Sequence, residues 1–307
     1  MKLVSIIMPT YKRDVPYVSR ALESLLNQSY DNIEIMLIDD SPDDYPHRQD
    51  VKDYVESIDD DRIVYIQNEI NLGGSLARNV GIFQCKGEYI TFLDDDDKYK
   101  IDKVKNQVEF MEKHDYDMTI SNMLIVDSND NPIDLRIYTN IWSFEQEELL
   151  KYHIMRHATG TPSFMYKADK LKAIGGFDDA IMGQEFYLML KTIESGMKVG
   201  YLNTTDIIVY RHKDEAISTG RNKILGERIL YEYKKQYFDI LDAHQKRFVR
   251  MRHYAVLAVA YKRNGMYWGF FYYSIIAFFA SPITCLKEAV IYLTTYKKIN
   301  RYLDEGI

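Results

Sequence analysis

Apolar residues form two kinds of pattern along the first hundred positions. Short runs rich in β-branched residues predict strands that are buried on both faces, at Val4–Met8, Ile33–Ile38, Ile63–Ile66 and Tyr89–Leu93. Between the first two runs, apolar residues recur at helical spacing from Val15 to Leu26. Strands that alternate with helices of this length are typical of βαβ units. The pattern therefore predicts an α/β fold with a mostly parallel sheet flanked by helices.

The same patterns predict the remaining elements. Helices are predicted at 42–57, from an N-cap at Ser75 to about Cys85, at 101–111, at 145–152 and at 184–195, and strands at 117–126, 163–166, 199–202 and 207–210. After Arg221 the chain changes to long helical patterns with few turn signals. We therefore predict a main domain over 1–220, with halves at 1–97 and 98–220, and a helical C-terminal region over 221–307.

The C-terminal region contains a long uncharged stretch. Between Arg263 and Lys287 there are 23 uncharged residues, many of them aromatic, and Pro282 interrupts them, which predicts two helices. Two interpretations stay open. Either the helices bury their aromatic side chains on the main domain, or residues 264–307 lie in the plane of a membrane surface beside flanking lysines and arginines. A membrane-spanning helix is the least favoured alternative, because the proline leaves a short segment whose tyrosine and tryptophan prefer the interface.

Charge and cysteine content narrow the class of protein. The chain has 307 residues and a formal net charge of −7, which argues against nucleic acid as a partner. From Arg221 onwards there are 15 Lys and Arg against 7 Asp and Glu, so we expect this basic region to face something anionic. Cys85 and Cys285 predict neither a disulfide framework nor a zinc site and fit a reducing cytosol. The first apolar run is too short for a signal peptide.

Four consecutive carboxylates, Asp94 to Asp97, directly follow the fourth predicted strand. Two carboxylates about 4 Å apart repel by roughly 4 kcal/mol, so this acidic run needs a positive partner, and a divalent cation is the natural candidate. In an extended segment, Asp94 and Asp96 would share one face, and Asp95 and Asp97 the other. The alternative interpretation is an acidic surface turn that ends a strand.

Further candidate binding residues follow the first two predicted strands. Pro9, Thr10 and Tyr11 come just after the first strand, and Asp39 and Asp40 come just after the second. In parallel α/β sheets, ligands bind beyond the carboxyl ends of the strands. We therefore predict that one crevice collects these residues together with the acidic run.

Several short motifs occur in order over residues 3–220. They are VSIIMPTYKR, LIDDSPDD, NLGGSLARNVGI, YITFLDDDD, GGFDD, GQEFYLMLK and the stretch Tyr210-Arg211-His212. Together they resemble the family 2 glycosyltransferases of the GT-A fold. The resemblance implies a GT-A-like sheet with a nucleotide-sugar-binding half and an acceptor half, and an enzyme that transfers a sugar from a nucleotide donor.

The resemblance also implies roles in donor binding. Pro9, Tyr11, Asp39 and Asp40 match positions that hold the nucleotide base, and Asp40 is preferred as the acceptor for the base N–H. The alternative for the two aspartates is a helix N-cap. Arg78 matches the arginine of an N-x-G-x-x-x-x-R-N stretch and would line the diphosphate cleft. A salt bridge on the helix surface is its alternative.

The acidic run matches the D-x-D region of the family. Asp96 is then the preferred metal ligand, and Asp94 and Asp95 lie near the ribose or the sugar. Carboxylate oxygens suit Mg²⁺ or Mn²⁺, which are the cofactors that the resemblance implies. His212 matches a further metal or phosphate contact in some members, and a capped loop residue is the alternative.

The predicted catalytic base departs from the family pattern. Members commonly show Glu-Asp at the head of a helix in the acceptor half, whereas this chain has Gln184-Glu185. We assign the role of base to Glu185, which would take the proton from an acceptor hydroxyl. The alternative is a carboxylate that the helix dipole favours at this position.

The resulting hypothesis is an inverting transfer from a UDP-sugar to a hydroxyl of a glycan or lipid-linked oligosaccharide. We expect it in surface polysaccharide synthesis of the bacterial type, in the cytoplasm or on the cytoplasmic face of a membrane. A non-catalytic sugar-nucleotide-binding subunit is one rival, and it would need Asp40 and Asp96 without Glu185. A sugar nucleotidyltransferase is the other, but MPTYKRDVP lacks the glycines of its phosphate loop.

Overall fold

The computed structural model describes residues 1–180, 182–211 and 221–305, and their side chains except those of 221, 292, 293, 295–298 and 300–305. The strands are β1 (Val4–Thr10), β2 (Ile33–Asp39), β3 (Ile63–Gln67), β4 (Tyr89–Phe92), β5 (Lys98–Tyr99), β6 (Met118–Ser121), β7 (Met123–Val126), β8 (Pro132–Arg136), β9 (Met165–Lys167), β10 (Val199–Leu202) and β11 (Ile207–Tyr210). The helices are α1 (Val15–Leu26), α2 (Arg48–Ser57), α3 (Gly74–Gln84), α4 (Lys103–His114), α5 (Gln146–Arg156), α6 (Ala168–Ala173), α7 (Gln184–Glu194), α8 (Arg221–Lys234), α9 (Ala243–Arg263), α10 (Tyr267–Ala280) and α11 (Pro282–Glu305).

Two sheets organise the main domain. The first has seven strands in the order β10-β6-β9-β4-β1-β2-β3, and β9 is antiparallel to both of its neighbours while the other pairs are parallel. The second has four strands in the order β5-β11-β7-β8. The predicted α/β fold with a mostly parallel sheet is confirmed.

Burial on both faces explains why apolar and polar residues do not alternate along the central strands. Every residue of β2 and β4 is buried, and so is all of β1 except Pro9, because helices cover both faces of a parallel sheet. α1 contributes one apolar side, formed by Val18, Ala21, Leu22 and Leu25. These elements belong to the largest apolar cluster of the protein.

Two predicted boundaries were wrong. The helix predicted at 42–57 begins only at Arg48, since the chain first makes turns after β2. The strand predicted at 117–126 is two strands, because at Asn122 the chain passes from the first sheet into the second. There the Asn122 amide donates to the Asn203 side chain at 2.9 Å and accepts from the Tyr201 hydroxyl at 2.8 Å.

Other local features were missed or misassigned. The N-cap of α3 is Gly73 with φ of 79°, and Ser75 lies inside the helix. β5, β8 and α6 were not predicted, because they lack the run of consecutive apolar residues that marks strands as short as β4 and β11.

The C-terminal helices divide into two groups. α8 and α9 pack on α5 and α7 through a second apolar cluster that includes Phe186, Leu190, Leu230 and Phe248. α10 packs on α9, but of its own side chains only Ala277 is buried. The predicted domain boundary near residue 220 lies outside the described residues.

A helix that crosses a membrane must be both long and apolar. No single described helix meets both requirements. Tyr267–Ala280 and Pro282–Ile291 meet them only as a pair, and the two segments are bent by 119° at Ser281.

Candidate active site

The register of the sheet brings the predicted site residues together. Thr10 at the end of β1 pairs with Asp39 at the end of β2, and Ile7 pairs with Phe92 at the end of β4. The loops that leave these strands therefore share one edge of the sheet, as expected for a parallel α/β protein.

The acidic run forms a turn rather than an extended segment. The Asp97 N–H donates to the Asp94 carbonyl at 3.1 Å. The predicted alternation nevertheless holds, because the side chains of Asp94 and Asp96 are 36% and 17% exposed while Asp95 and Asp97 are buried. Two carboxylates therefore face the crevice and two face the protein.

Asp95 ties the loop after β1 to the acidic run. Its carboxylate accepts from the Thr10 hydroxyl at 2.7 Å and from the Tyr11 N–H at 3.4 Å. Burial raises the pKa of Asp95 to about 7, against the opposing effect of the Arg13 guanidinium. These contacts fix the loop that carries Pro9 and Tyr11, so Asp95 acts here on the protein itself.

Asp97 links the acidic run to the second sheet. Its carboxylate accepts from the Tyr210 N–H at the end of β11, at 2.9 Å. Burial, together with the negative charges of Asp94 and Asp96, raises the pKa of Asp97 well above its usual range. His212 lies two residues beyond Tyr210 and is outside the described residues.

Three arginines neutralise the acidic run from within the protein. Arg13 contacts Asp95 at 3.2 Å and Asp96 at 2.7 Å. Arg20 donates to the Asp96 carbonyl and lies over the Tyr210 ring at 3.8 Å. Arg78 forms an ion pair with Asp94. The predicted need for a positive partner is met by these side chains, of which the sequence analysis named only Arg78.

Arg78 also connects the donor half to the acceptor half. Its side chain is buried, so the surface salt bridge considered for it was wrong. Besides Asp94, it donates to the Gln184 side-chain oxygen at 3.4 Å, and the Ser75 hydroxyl donates to the same oxygen at 2.6 Å. Glu185 follows Gln184 in the first turn of α7, so this contact fixes the start of α7 relative to the acidic run.

Glu185 lies in the first turn of α7 and is partly exposed. Among the described residues, the structure shows no hydrogen bond or ion pair to its carboxylate. An unengaged carboxylate at this position is able to accept a proton from a bound hydroxyl.

A buried histidine supports the backbone next to Glu185. The His153 Nε2–H donates to the Phe186 carbonyl at 3.0 Å, and Nδ1 accepts from the Ala158 N–H at 3.2 Å. The His153 and Phe186 rings stack with centroids 4.4 Å apart. Burial lowers the pKa of His153 to about 3, so the ring is neutral and both nitrogens are satisfied.

Asp39 and Asp40 shape the loops after β2 and β3. The Asp39 carboxylate accepts from the Ser41 N–H at 2.9 Å and from the Tyr65 hydroxyl at 2.7 Å. The Asp40 carboxylate accepts from the side chain of Asn68 and from the backbone N–H groups of residues 72 and 73, each at 2.8 Å. Both aspartates are buried, and Asp40 anchors the turn that starts α3.

The chemistry of the crevice fits a divalent cation that is shared with a diphosphate. No cluster of three or more potential metal ligands occurs in the described part of the chain. Asp96 and Asp94 nevertheless present carboxylate oxygens to the crevice, and Mg²⁺ is often held by one or two carboxylates plus substrate phosphates. Asp96 and Asp94 are therefore the residues that would hold the ion.

Comparison with known proteins decides the family. The family model described as Glycosyl transferase family 2 matches residues 5–174. The chain belongs to this family.

Two relatives of this glycosyl transferase family 2 member match very different shares of its chain. An uncharacterized glycosyltransferase of Methanocaldococcus jannaschii is 26% identical over 285 residues, which cover 92% of this chain and 89% of that protein. The Escherichia coli enzyme WfaP, a UDP-Glc:alpha-D-GlcNAc-diphosphoundecaprenol beta-1,3-glucosyltransferase, is 41% identical over 126 residues. That match covers 41% of this chain and 47% of WfaP.

Solved structures of similar fold extend the comparison to three dimensions. S. aureus TarS 1–349 in complex with UDP-GlcNAc superimposes with a TM-score of 0.60 at 15% identity over 91% of each chain. TarS 1–349 in complex with UDP gives a TM-score of 0.57 at 19% identity, covering 85% of this chain and 73% of TarS 1–349. At these identities the likeness shows the fold, and it confirms the predicted GT-A-like architecture.

Proposed function

We propose that this glycosyltransferase catalyses an inverting transfer from a UDP-sugar to an acceptor hydroxyl. The observation that carries the proposal is the connection from Asp94 through Arg78 to Gln184. Glu185 follows Gln184 at the start of α7. We infer from this that its carboxylate reaches a sugar bound at the acidic run, so that a base and a diphosphate site would face the same sugar. UDP as the nucleotide is supported by the names of WfaP and of the TarS complexes.

In the proposed reaction, Glu185 accepts the proton of the acceptor hydroxyl. The hydroxyl oxygen then forms its bond to the anomeric carbon as the bond to the UDP oxygen breaks, in one displacement. Arg78 and Arg13 lie where they would bind the departing diphosphate once it enters the crevice. Orientation supplies much of the rate, because no covalent intermediate with the protein is formed.

A metal ion belongs to this proposal. Mg²⁺ or Mn²⁺ held by Asp96 and Asp94 would neutralise negative charge on the diphosphate. Pro9, Tyr11, Asp39 and Asp40 stay assigned to the nucleotide base, with Asp95 as a donor-side residue that acts through the loop after β1. His212 stays a proposed further ligand.

The acceptor is proposed to be a glycan or a lipid-linked oligosaccharide of a cell-envelope polysaccharide. WfaP is named for an undecaprenol-linked acceptor, and a Bacillus subtilis relative, GgaB, is a minor teichoic acid biosynthesis protein. GgaB is 27% identical over 266 residues, covering 82% of this chain and 28% of GgaB. Within this proposal the enzyme works in the cytoplasm, on the cytoplasmic face of a membrane.

Replacing Glu185 by Gln tests the reaction. We expect the first-order transfer rate at saturating donor to fall by about 10²–10⁴-fold, since the variant lacks a proton acceptor. UDP affinity, measured by calorimetry with Mn²⁺, should stay unchanged because the donor contacts remain. Donor sugars are first screened by release of UDP, and the anomeric configuration of the product is read by NMR.

Glu109→Gln is the matched control, because Glu109 is an exposed carboxylate of α4 outside the crevice. Transfer that survives Glu185→Gln at the rate of this control would refute the assigned base. Release of pyrophosphate instead of UDP would refute the reaction type, and retained configuration in the product would refute inversion.

A further inference from the structure

One face of the C-terminal helices carries large apolar side chains that the described part of the protein leaves exposed. On α10 they recur at helical spacing, and they are Tyr267, Trp268, Phe271, Tyr272, Ile275 and Phe279. On α11 the same surface continues with Ile283, Leu286 and Val290. We call these nine side chains the aromatic stripe. Large exposed apolar patches mark interaction sites, because water solvates them at a cost in free energy.

The orientation of the aromatic stripe is fixed by packing on the opposite side of α10. Gly269 lies so close to α9 that a Cβ there would be 2.0 Å from the Tyr261 ring. Further along, the Tyr273 ring stacks on Tyr254 with centroids 6.1 Å apart. α10 therefore cannot rotate to bury the stripe without losing its contacts with α9.

Positive charges lie at the end of the aromatic stripe where the two helices meet. At the bend between α10 and α11, Arg247 and Lys287 line a cavity of about 410 Å³ together with Phe279 and Ile283 of the stripe. This distribution is complementary to a negatively charged surface.

Two carboxylates bear on these charges. Glu288 on α11 forms an ion pair with Arg156 of α5 at 2.8 Å, so it is engaged with the main domain. The Gln245 N–H, together with the nearby charge of Arg247, lowers the pKa of Asp242, the N-cap residue of α9. Arg247 and Lys287 therefore keep an excess of one positive charge over Asp242.

The helix lengths distinguish lying on a membrane from crossing it. α10 has 14 residues, which correspond to about 21 Å of helix, less than the roughly 30 Å of a hydrocarbon core. The 119° bend prevents α10 and the first part of α11 from acting as one longer rod. Tryptophan and tyrosine on the exposed side are the residues that favour the membrane interface.

We propose that the aromatic stripe docks in the interface of an anionic phospholipid bilayer. Arg247 and Lys287 then contact the lipid phosphates around it. This inference deepens the proposed function by naming the surface that holds the enzyme at the membrane. Its test measures binding alone, so a failure of binding and a failure of glycosyl transfer are distinguishable.

The first experiment is cosedimentation of the full chain with vesicles of phosphatidylcholine containing about 30% phosphatidylglycerol. We expect the protein to sediment with these vesicles. The triple variant Trp268→Ser, Phe271→Ser, Phe279→Ser should bind at least about tenfold more weakly, because it loses three inserted rings. Phe83→Ser is the control, since Phe83 is an exposed aromatic side chain of α3, and it should bind like the unchanged protein.

The second experiment tests the charges. Arg247→Glu with Lys287→Glu should weaken binding to the anionic vesicles by about tenfold or more, as each cation near the surface contributes about 1 kcal/mol. Lys105→Glu with Lys113→Glu makes the same change in net charge on exposed positions of α4 and should leave binding unchanged. Vesicles of pure phosphatidylcholine should bind the unchanged protein more weakly than anionic ones.

Tryptophan emission reports insertion directly. The chain has two tryptophans, and Trp268 is 91% exposed. In a Trp142→Phe background, anionic vesicles should shift the remaining emission to shorter wavelength as the indole leaves water. Absence of both sedimentation and the emission shift would overturn the proposal. So would a dimer in light scattering that the triple variant converts to a monomer while neither form binds vesicles, because the stripe would then cover a second copy.

Discussion

The arginines around the acidic run show how far single residues were predictable. Four adjacent carboxylates indicated a need for positive charge, and that expectation was correct. The side chains that meet it are Arg13, Arg20 and Arg78. The first two lie at least 76 residues before their partners in the run, and Arg78 lies 16 residues before Asp94. Two of them lie in the loop and helix that follow β1, so their position after a strand was a usable signal. Only the sheet register shows that this loop faces the end of β4.

Arg13 should compete with a metal ion for Asp96. We expect Arg13→Gln to bind Mn²⁺ several-fold more tightly without nucleotide, because no guanidinium has to be displaced from the carboxylate. With Mn²⁺ present, the same variant should bind UDP more weakly, since a cation near the diphosphate is lost. Electron paramagnetic resonance of free Mn²⁺ measures the first effect and calorimetry the second.

Lys12→Gln is the control for Arg13→Gln. It removes the same charge from the neighbouring exposed position, where no contact with the acidic run is seen. Equal Mn²⁺ affinities in the two variants would contradict direct competition at Asp96.

His153 should make the stability of the protein depend on acid pH. Its pKa is lowered from 6.5 to about 3 by burial, so the unfolded chain binds a proton more readily than the folded one. The contribution of His153 to the free energy of unfolding therefore has its full value above about pH 6.5 and decreases as the pH falls towards 3. Protonation would also turn Nδ1 into a donor facing the Ala158 N–H.

Urea unfolding between pH 7.5 and 4.5 measures this dependence. His153→Gln should be less stable at pH 7.5, because it loses the ring stacked on Phe186. As the pH falls, the free energy of unfolding of His153→Gln should decrease less steeply than that of the unchanged protein. The two slopes should differ by up to about 1.4 kcal/mol per pH unit. His114→Gln, at an exposed position, should keep the slope of the unchanged protein. Identical slopes for His153→Gln and the unchanged protein would refute the buried neutral histidine.

Among helices and strands, elements with a clear apolar period or an unbroken apolar run were predictable, and elements with neither were not. β1, β2 and α1 were found because burial on both faces or on one side leaves a clear pattern. The division of 117–126 into two strands was missed because both halves are apolar. The break depends on hydrogen bonds of Asn122 with Tyr201 and Asn203, which are far away in the sequence. The residues assigned to donor binding lie at one edge of the sheet because they follow strands, as predicted, and their roles stay predictions. The link from Arg78 to Gln184 was not predicted, since it depends on how α3 and α7 meet.

The turn between α3 and β4 leaves no room for a side chain at Gly87. A Cβ there would lie 2.3 Å from the Ser5 hydroxyl oxygen and 2.6 Å from the Ser5 backbone nitrogen. We expect Gly87→Ala to lower the free energy of unfolding by about 1–3 kcal/mol through overpacking against β1. Urea denaturation measures the loss. Adding Ser5→Ala should fail to restore stability, because the clash with the backbone remains, and full rescue by it would contradict this explanation.

The molecule as a whole is a glycosyltransferase body to which two further helices are added on the outside. α8 and α9 share the apolar cluster of α5 and α7, whereas α10, and α11 as far as its side chains are described, leave most of their large apolar side chains exposed. The apolar pattern of the sequence could not distinguish the buried helices from the exposed ones, because an apolar helix shows the same pattern whether protein or lipid covers it. The alternative in which the aromatic side chains are buried on the main domain does not hold for the aromatic stripe.

Ligand binding should stabilise the entire molecule only when metal and nucleotide are both present. EDTA should leave the melting temperature of the free protein unchanged, since arginines already neutralise the acidic run. UDP with Mn²⁺ should raise it, by the equivalent of about 2.7 kcal/mol at a concentration 100 times the dissociation constant. Scanning calorimetry measures both. Asp96→Asn should abolish the gain and Asp53→Asn, at an exposed carboxylate of α2, should keep it. An equal gain in EDTA would contradict a metal at Asp96.

Under the proposed docking on a bilayer, the bend between α10 and α11 has a consequence for how the enzyme would meet a lipid-linked acceptor. A helix pair that lies flat keeps its protein at the surface of a bilayer for a limited residence time and leaves it free to diffuse sideways. A lipid-linked acceptor is confined to the same thin layer, so its effective concentration around the enzyme exceeds the average in the cell. For such an enzyme, modest affinity for the acceptor sugar would be sufficient, because the search takes place in two dimensions.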